Sequence, residues 1–161
     1  MIVFLDFDGV THAFFPRKDL TDDENQLFYF LPRIEEVFRE FEEVKVVISS
    51  SWRLLAYSLD DLRSNFSVDM RDRVIGVTPQ IKLNANDGWE GCRQREVELY
   101  LSQNQLEGTP WVALDDVKKN YLTDANLLLC NDKFDEVEAQ QLRELLTKMR
   151  TQFSDKYIGY D

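Results

Sequence analysis

Apolar residues along this chain gather in short runs, and between those runs they fall at helical spacing. Ile2 to Leu5 reads as a buried strand, and Val44 to Ile48 is a second apolar, β-branched run. Val74 to Val77, Trp111 to Leu114 and Leu127 to Cys130 are further strand candidates. Pro32 suits the first turn of a helix, and Ile34, Val37, Phe38 and Phe41 then form one stripe. Leu55, Leu59, Leu62 and Phe66 predict one face of a second helix. Val97, Tyr100, Leu101 and Asn104 predict a third. Asp135 with Glu138 resembles a capping box before a last helix carrying Val137, Leu142, Leu145 and Met149.

Strands alternating with helices predict an α/β fold with a doubly wound, mainly parallel sheet. The strand runs lack the apolar–polar alternation of a half-exposed sheet, so both faces should be covered. Ligands of such sheets bind beyond the carboxyl ends of the strands. The polar residues cluster there: Asp6 and Asp8 after the first run, Ser49, Ser50 and Ser51 after the second, Asp115 and Asp116 after the run at 111–114. Three coincidences of this kind mark an active-site edge.

Composition narrows the class. The 161 residues are 43% hydrophobic and 30% charged, which suits one globular domain and excludes a disordered or collagen-like chain. No run approaches the ~18 apolar residues of a membrane span. MIVFLDFDG has no basic segment before its apolar stretch, so it is not expected to be a signal peptide, and a cytoplasmic protein is expected. The net charge of -11, with nine acids against two arginines in 19–43, disfavours a long nucleic-acid track or an anionic lipid surface. Cys92, Cys130 and the single histidine, His12, do not make a usual zinc set, and both cysteines are expected to be reduced packing residues.

In DFDGV, Asp6 and Asp8 alternate on an extended segment and can approach one cation, though an Asp-rich turn would read the same way. The later carboxylates of an EF-hand loop are missing. In ISSSWR, hydroxyls and backbone N–H groups between strand and helix form a phosphate cradle or, more plainly, an N-cap. Asp115 and Asp116 suit a hard cation such as Mg2+, or a solvated loop. Arg93 and Arg95, after the Gly88–Gly91 loop, could meet a phosphoryl oxygen or simply be exposed helix arginines.

Taken in order, DxDGV, a serine after a strand, a basic residue and an acidic pair after a strand resemble the haloacid dehalogenase-like (HAD) phosphohydrolase superfamily, from Ile2 to Asp116. SSSWR, RVIGVTP at 73–79, RQREVELYL at 93–101 and LDD at 114–116 resemble the small HAD domains of bacterial "Swiss army knife" RNA-repair proteins. A receiver domain, the nearest other doubly wound fold, would carry its acidic pair after the first strand and a phosphorylated aspartate after the third.

The resemblance implies a Mg2+-dependent phosphatase. Asp6 would be the nucleophile that forms an aspartyl-phosphate, and Asp8 the acid and base. Ser49 would hold a phosphoryl oxygen, with Ser50 beside it, and Arg93 would stabilise the intermediate, with Arg95 in reserve. Asp6, Asp8 (through its carbonyl), Asp115 and Asp116 would hold the metal. Arginine stands where lysine is commonest, and Thr11 where an apolar residue is frequent. The alternative is a non-catalytic phosphate-binding or interaction module on the same fold.

The expected organisation is one domain over 1–161 with a short flap around 9–31 and no separate cap domain, since neither 9–31 nor 66–111 leaves room for one. In the flap, His12, Phe14, Phe15, Arg17 and Lys18 could grip a nucleotide end. The expectation for Phe14 and Phe15 is the plainer one, that they pin the flap to the body. The expected substrate is a small phosphorylated molecule or a single nucleic-acid terminal phosphate. The sheet order is expected to place the first strand centrally, between 44–48 and 111–114.

Overall fold

Five parallel strands form a single sheet in the order β3-β2-β1-β4-β5. A computed structural model describes residues 1–82, 88–124 and 126–158. The strands are β1 (Ile2–Leu5), β2 (Lys45–Ile48), β3 (Val74–Val77), β4 (Trp111–Asp115) and β5 (Leu127–Leu129). The helices are α1 (Leu31–Arg39), α2 (Leu59–Arg63), α3 (Cys92–Gln103) and α4 (Glu136–Ile158). β1 is central as expected, with Leu5 paired to Ile48 on one side and to Leu114 on the other.

Alternate residues of β1 feed two cores, the period-two arrangement of a sheet covered on both faces. Val3 and Leu5 pack with Ile34, Val37 and Phe38 of α1, Leu62 of α2, and Ala139, Leu142 and Leu146 of α4. Ile2 and Phe4 pack with Val97, Tyr100 and Leu101 of α3. Among the described residues there is no separate cap domain and no helix long and apolar enough to cross a membrane.

The last helix starts where the capping box places it. The Asp135 N–H donates to Glu138, and the Val137 N–H donates to the Asp135 side chain. Its apolar face is set differently from the expected stripe, with Val137 exposed and Ala139 and Leu146 buried.

Of the helix expected across Leu55–Phe66, only Leu59–Arg63 is helical. A 3-10 turn at Ser51–Leu54 is followed by α2, and Leu55 is 83% exposed. Two caps explain the break. The Ser50 hydroxyl accepts from the Trp52 N–H, and Ser58 and Asp61 form a capping box that starts the chain afresh. The cysteines are unpaired, and burial pushes the Cys130 thiol well above its ordinary range, which keeps it inert.

Candidate active site

Two backbone hydrogen bonds bring the chemistry together at the carboxyl edge of the sheet. The Asp6 N–H donates to Leu114 O at 3.0 Å, and the Ser49 N–H donates to Leu5 O at 2.9 Å. The nucleophile candidate, the serine loop and the acidic pair therefore share one end of three adjacent strands. Asp6, Ser51 and Asp116 line an open cleft of about 360 Å³ with Asp8, Phe14, Arg93, Val117 and Asn120. A larger hollow of about 530 Å³ beside β5 and α4 is lined by leucines and long polar side chains, with no cluster of acids.

Asp6 is 6% exposed. One of its carboxylate oxygens accepts the Phe7 N–H at 2.8 Å, and the other lies 4.0 Å from Arg93 Nη2. Burial raises the Asp6 pKa from the ordinary aspartate range, while the Arg93 charge acts against the rise. Asp6, Asp115 and Asp116 each present a ligand atom within 4.8 Å of the others. Burial and then the Asp6 charge push Asp115 up to about 7 and Asp116 up to about 6. Three carboxylates offering only oxygen, in a setting that disfavours their charge, fit a small hard cation.

Local conformation makes the cluster possible. Gly9 has φ +72°, and a Cβ there would lie 2.3 Å from Asp116 Oδ2, so only glycine lets the Asp116 carboxylate lie on this turn. Gly91, at φ +69°, is the N-cap of α3, and Leu122 fills the space a side chain would need. This turn sets the entry of α3, whose second residue is Arg93.

Arg93 is the arginine that faces Asp6. Burial alone would lower its pKa, but Asp6, Asp115 and Glu96 together raise it. Arg95 instead donates to Gly88 O at 3.4 Å. Arg93 Nη1 is buried and has no hydrogen-bond partner, and the Ser49 hydroxyl is buried beside that of Tyr121. The Ser50 hydroxyl caps the 3-10 turn, so in that residue the N-cap reading holds as well.

A family model described as the HAD domain in Swiss Army Knife RNA repair proteins matches residues 2–153. The chain belongs to that family. Its membership places this HAD domain in a superfamily of hydrolases. A search of curated proteins finds no match.

Several groups of the HAD domain carry no signal in the local sequence. Asn120 donates to both Asp115 oxygens, at 3.0 and 3.2 Å, and the Val117 N–H adds a bond of 2.8 Å. The Tyr121 hydroxyl is buried beside the Ser49 hydroxyl, and burial raises its pKa well above the usual value. Asn120 and Tyr121 follow the acidic pair closely, which is the one hint of their roles. Arg53 holds the serine loop from beneath, donating to Ser49 O and Ser50 O at 2.8 Å and to Thr78 O at 2.9 Å.

The expectation for Phe14 and Phe15 is overturned. They are 55% and 70% exposed and meet each other edge to face, with ring centroids 4.5 Å apart. Phe28 packs inward instead, against Phe7, His12 and Trp52. The 9–31 segment is tied down by polar contacts, the Phe14 N–H to Asp132 at 2.6 Å and Arg17 to Asn131 O at 3.1 Å. Two phenyl rings that bury little against the body are free to meet a ligand.

Proposed function

We propose that this HAD domain is a magnesium-dependent phosphohydrolase acting on a phosphate monoester, at a nucleotide or nucleic-acid end, through an aspartyl-phosphate. The observation that carries this reading is an unpartnered buried donor, Arg93 Nη1, on the guanidinium whose Nη2 lies 4.0 Å from the Asp6 carboxylate. Buried donors without acceptors cost free energy unless a ligand satisfies them. A phosphoryl group bound in front of Asp6 would do so.

In this reading the Asp6 carboxylate attacks phosphorus. A P–O bond to Asp6 forms as the ester P–O bond breaks, and Asp8 gives its proton to the leaving oxygen. Asp8 then takes a proton from water as that water attacks the phosphoryl group, which releases phosphate and restores Asp6. Attack of a carboxylate on a phosphate dianion meets repulsion of about 4 kcal/mol per charge pair at ~4 Å and an effective dielectric near 20. Arg93 offsets part of it. Asp6, Asp115 and Asp116, with the Asp8 carbonyl, would hold magnesium, whose charge when bound offsets the rest and stabilises the transferring group.

The RNA-repair description of the family and the exposed Phe14 and Phe15 beside the cleft support a nucleic-acid terminus. The net charge of -11 favours a terminal phosphate over a long track. Residues 1–161 are read as one domain with 9–31 as a flap. Release of phosphate from aryl phosphates and from oligonucleotide 3′- and 5′-phosphates, with and without magnesium, tests the proposal. Turnover is expected only with magnesium and is expected to vanish in Asp6→Asn. Phosphate binding without turnover of any substrate would instead establish the non-catalytic module.

A further inference from the structure

The Asp8 side chain is gripped by two residues from different parts of the chain. Trp52 Nε1 lies 3.2 Å from Asp8 Oδ1 and 3.0 Å from Oδ2, and His12 Nε2 lies 3.1 Å from Oδ1. His12 is 2% exposed. A carboxylate can only accept, so Nε2 carries the imidazole N–H. Nδ1 lies 3.0 Å from the Thr11 hydroxyl, which donates to Phe7 O at 3.0 Å.

The grip is itself held in place. Phe28 packs edge-on against His12 and Trp52, at centroid distances of 5.1 and 5.3 Å. It does so with φ +62°, a left-handed conformation uncommon for a bulky side chain. Such backbone costs about 1–3 kcal/mol and persists where the surroundings over-determine it. A solvated loop aspartate would need none of this, because a free carboxylate turns easily about its last torsion.

We propose that His12 and Trp52 are positioning residues for Asp8, holding its carboxyl group in the orientation that delivers a proton to the leaving oxygen. This inference rests on the phosphotransfer reading above. It adds to that reading the side chains that aim the acid.

The test is leaving-group dependence. Protonation matters most when the leaving group is a poor one, so loss of aim should be felt unequally along a series of esters. The full chain with magnesium is assayed for kcat/KM on para-nitrophenyl phosphate, phenyl phosphate and an alkyl phosphate. General acid–base groups contribute typically 10²–10⁴-fold, so His12→Phe and Trp52→Phe are each expected to lose about tenfold on phenyl phosphate and under about twofold on para-nitrophenyl phosphate. His12→Gln, which can return an N–H to Asp8, is expected to recover most of the loss. In an Asp8→Asn background neither substitution should steepen the leaving-group dependence further. A loss of equal size along the series, or an unchanged further loss in Asp8→Asn, overturns the positioning role. Should His12→Phe fail to fold, Trp52→Phe, at a half-buried position, decides alone. Absence of wild-type turnover across the series, or full turnover by Asp6→Asn, overturns the phosphotransfer reading and this role with it.

Discussion

The Arg53 guanidinium meets the Glu96 carboxylate at 2.6 Å, and the two side chains are 4% and 8% exposed. Through this pair the serine loop is tied to α3, three residues beyond Arg93. Glu96 also accepts the Ile81 N–H at 3.3 Å. Removing one partner of a buried pair strands the other charge, at a typical cost of 3–5 kcal/mol. Glu96→Ala is therefore expected to lower stability by about 3 kcal/mol in urea denaturation. A loss below about 0.5 kcal/mol would show the pair to be unimportant for the fold.

Asp6→Asn and Asp8→Asn should fail in different ways. Both are expected to lose turnover, Asp8→Asn by roughly 10²–10⁴-fold as an acid–base group. Calorimetric titration should show magnesium binding nearly unchanged in Asp8→Asn, whose proposed metal contact is a backbone carbonyl, and weakened in Asp6→Asn. The reverse pattern would exchange the two roles.

Stability of the metal-free protein should fall as pH rises from about 4 to about 7. Asp115 is raised to about 7 and Asp116 to about 6. Across that window the folded chain binds protons that the unfolded chain has released, so rising pH favours unfolding. Asp19, Asp69 and Asp135 are shifted downward and act at lower pH, where they give the opposite slope. Melting temperatures across the window, with and without magnesium, check this. Magnesium should flatten the fall, and a metal-free profile that is flat or rises would contradict the burden placed on these carboxylates.

Gly9→Ala and Gly108→Ala separate strain from collision. Both glycines have positive φ, +72° and +82°, but a Cβ at Gly9 meets Asp116 while one at Gly108 meets open space. Each substitution is expected to cost about 1–3 kcal/mol from backbone strain. Only Gly9→Ala should also weaken magnesium binding, since the Asp116 carboxylate must move. Equal magnesium affinity in the two variants would remove Asp116 from the metal site.

Phe14→Ala and Phe15→Ala should leave stability within about 0.5 kcal/mol of wild type, as exposed side chains do. On an oligonucleotide terminus each is expected to raise KM, because stacking on a base is worth about 1–3 kcal/mol. KM for para-nitrophenyl phosphate should be unchanged. Equal effects on both substrates would point to a displaced flap rather than a lost stacking contact.

The fold was largely legible because a strand buried on both faces leaves a local mark. Val46 to Ile48 and Val112 to Leu114 are apolar at every position, and their order in the chain carries the doubly wound topology. Asp6, Ser49 and Asp115 were legible for the same reason, as polar residues at the ends of apolar runs. The break between Trp52 and Leu59 was not, because apolar spacing continues through it while Ser50 and Ser58 cap separate turns. The parts played by His12, Trp52, Asn120 and Tyr121 depend on partners such as Asp8, Asp115 and Ser49. Periodicity reports which face a residue occupies, not which distant side chain shares that face.

The ladder bonds from Asp6 to Leu114 and from Ser49 to Leu5 make the spacing of the reacting groups a matter of residue count. One residue of strand spans roughly 3.3 Å and reverses the direction of every side chain after it. Deleting a single residue within Ile2–Leu5 should therefore turn Asp6 toward the opposite face and silence the protein. An insertion in the turn at 104–110, at the far end of the sheet, changes no such count and should be tolerated. Length variation is thus unevenly permitted along this chain, freely at one end of the sheet and hardly at all at the other.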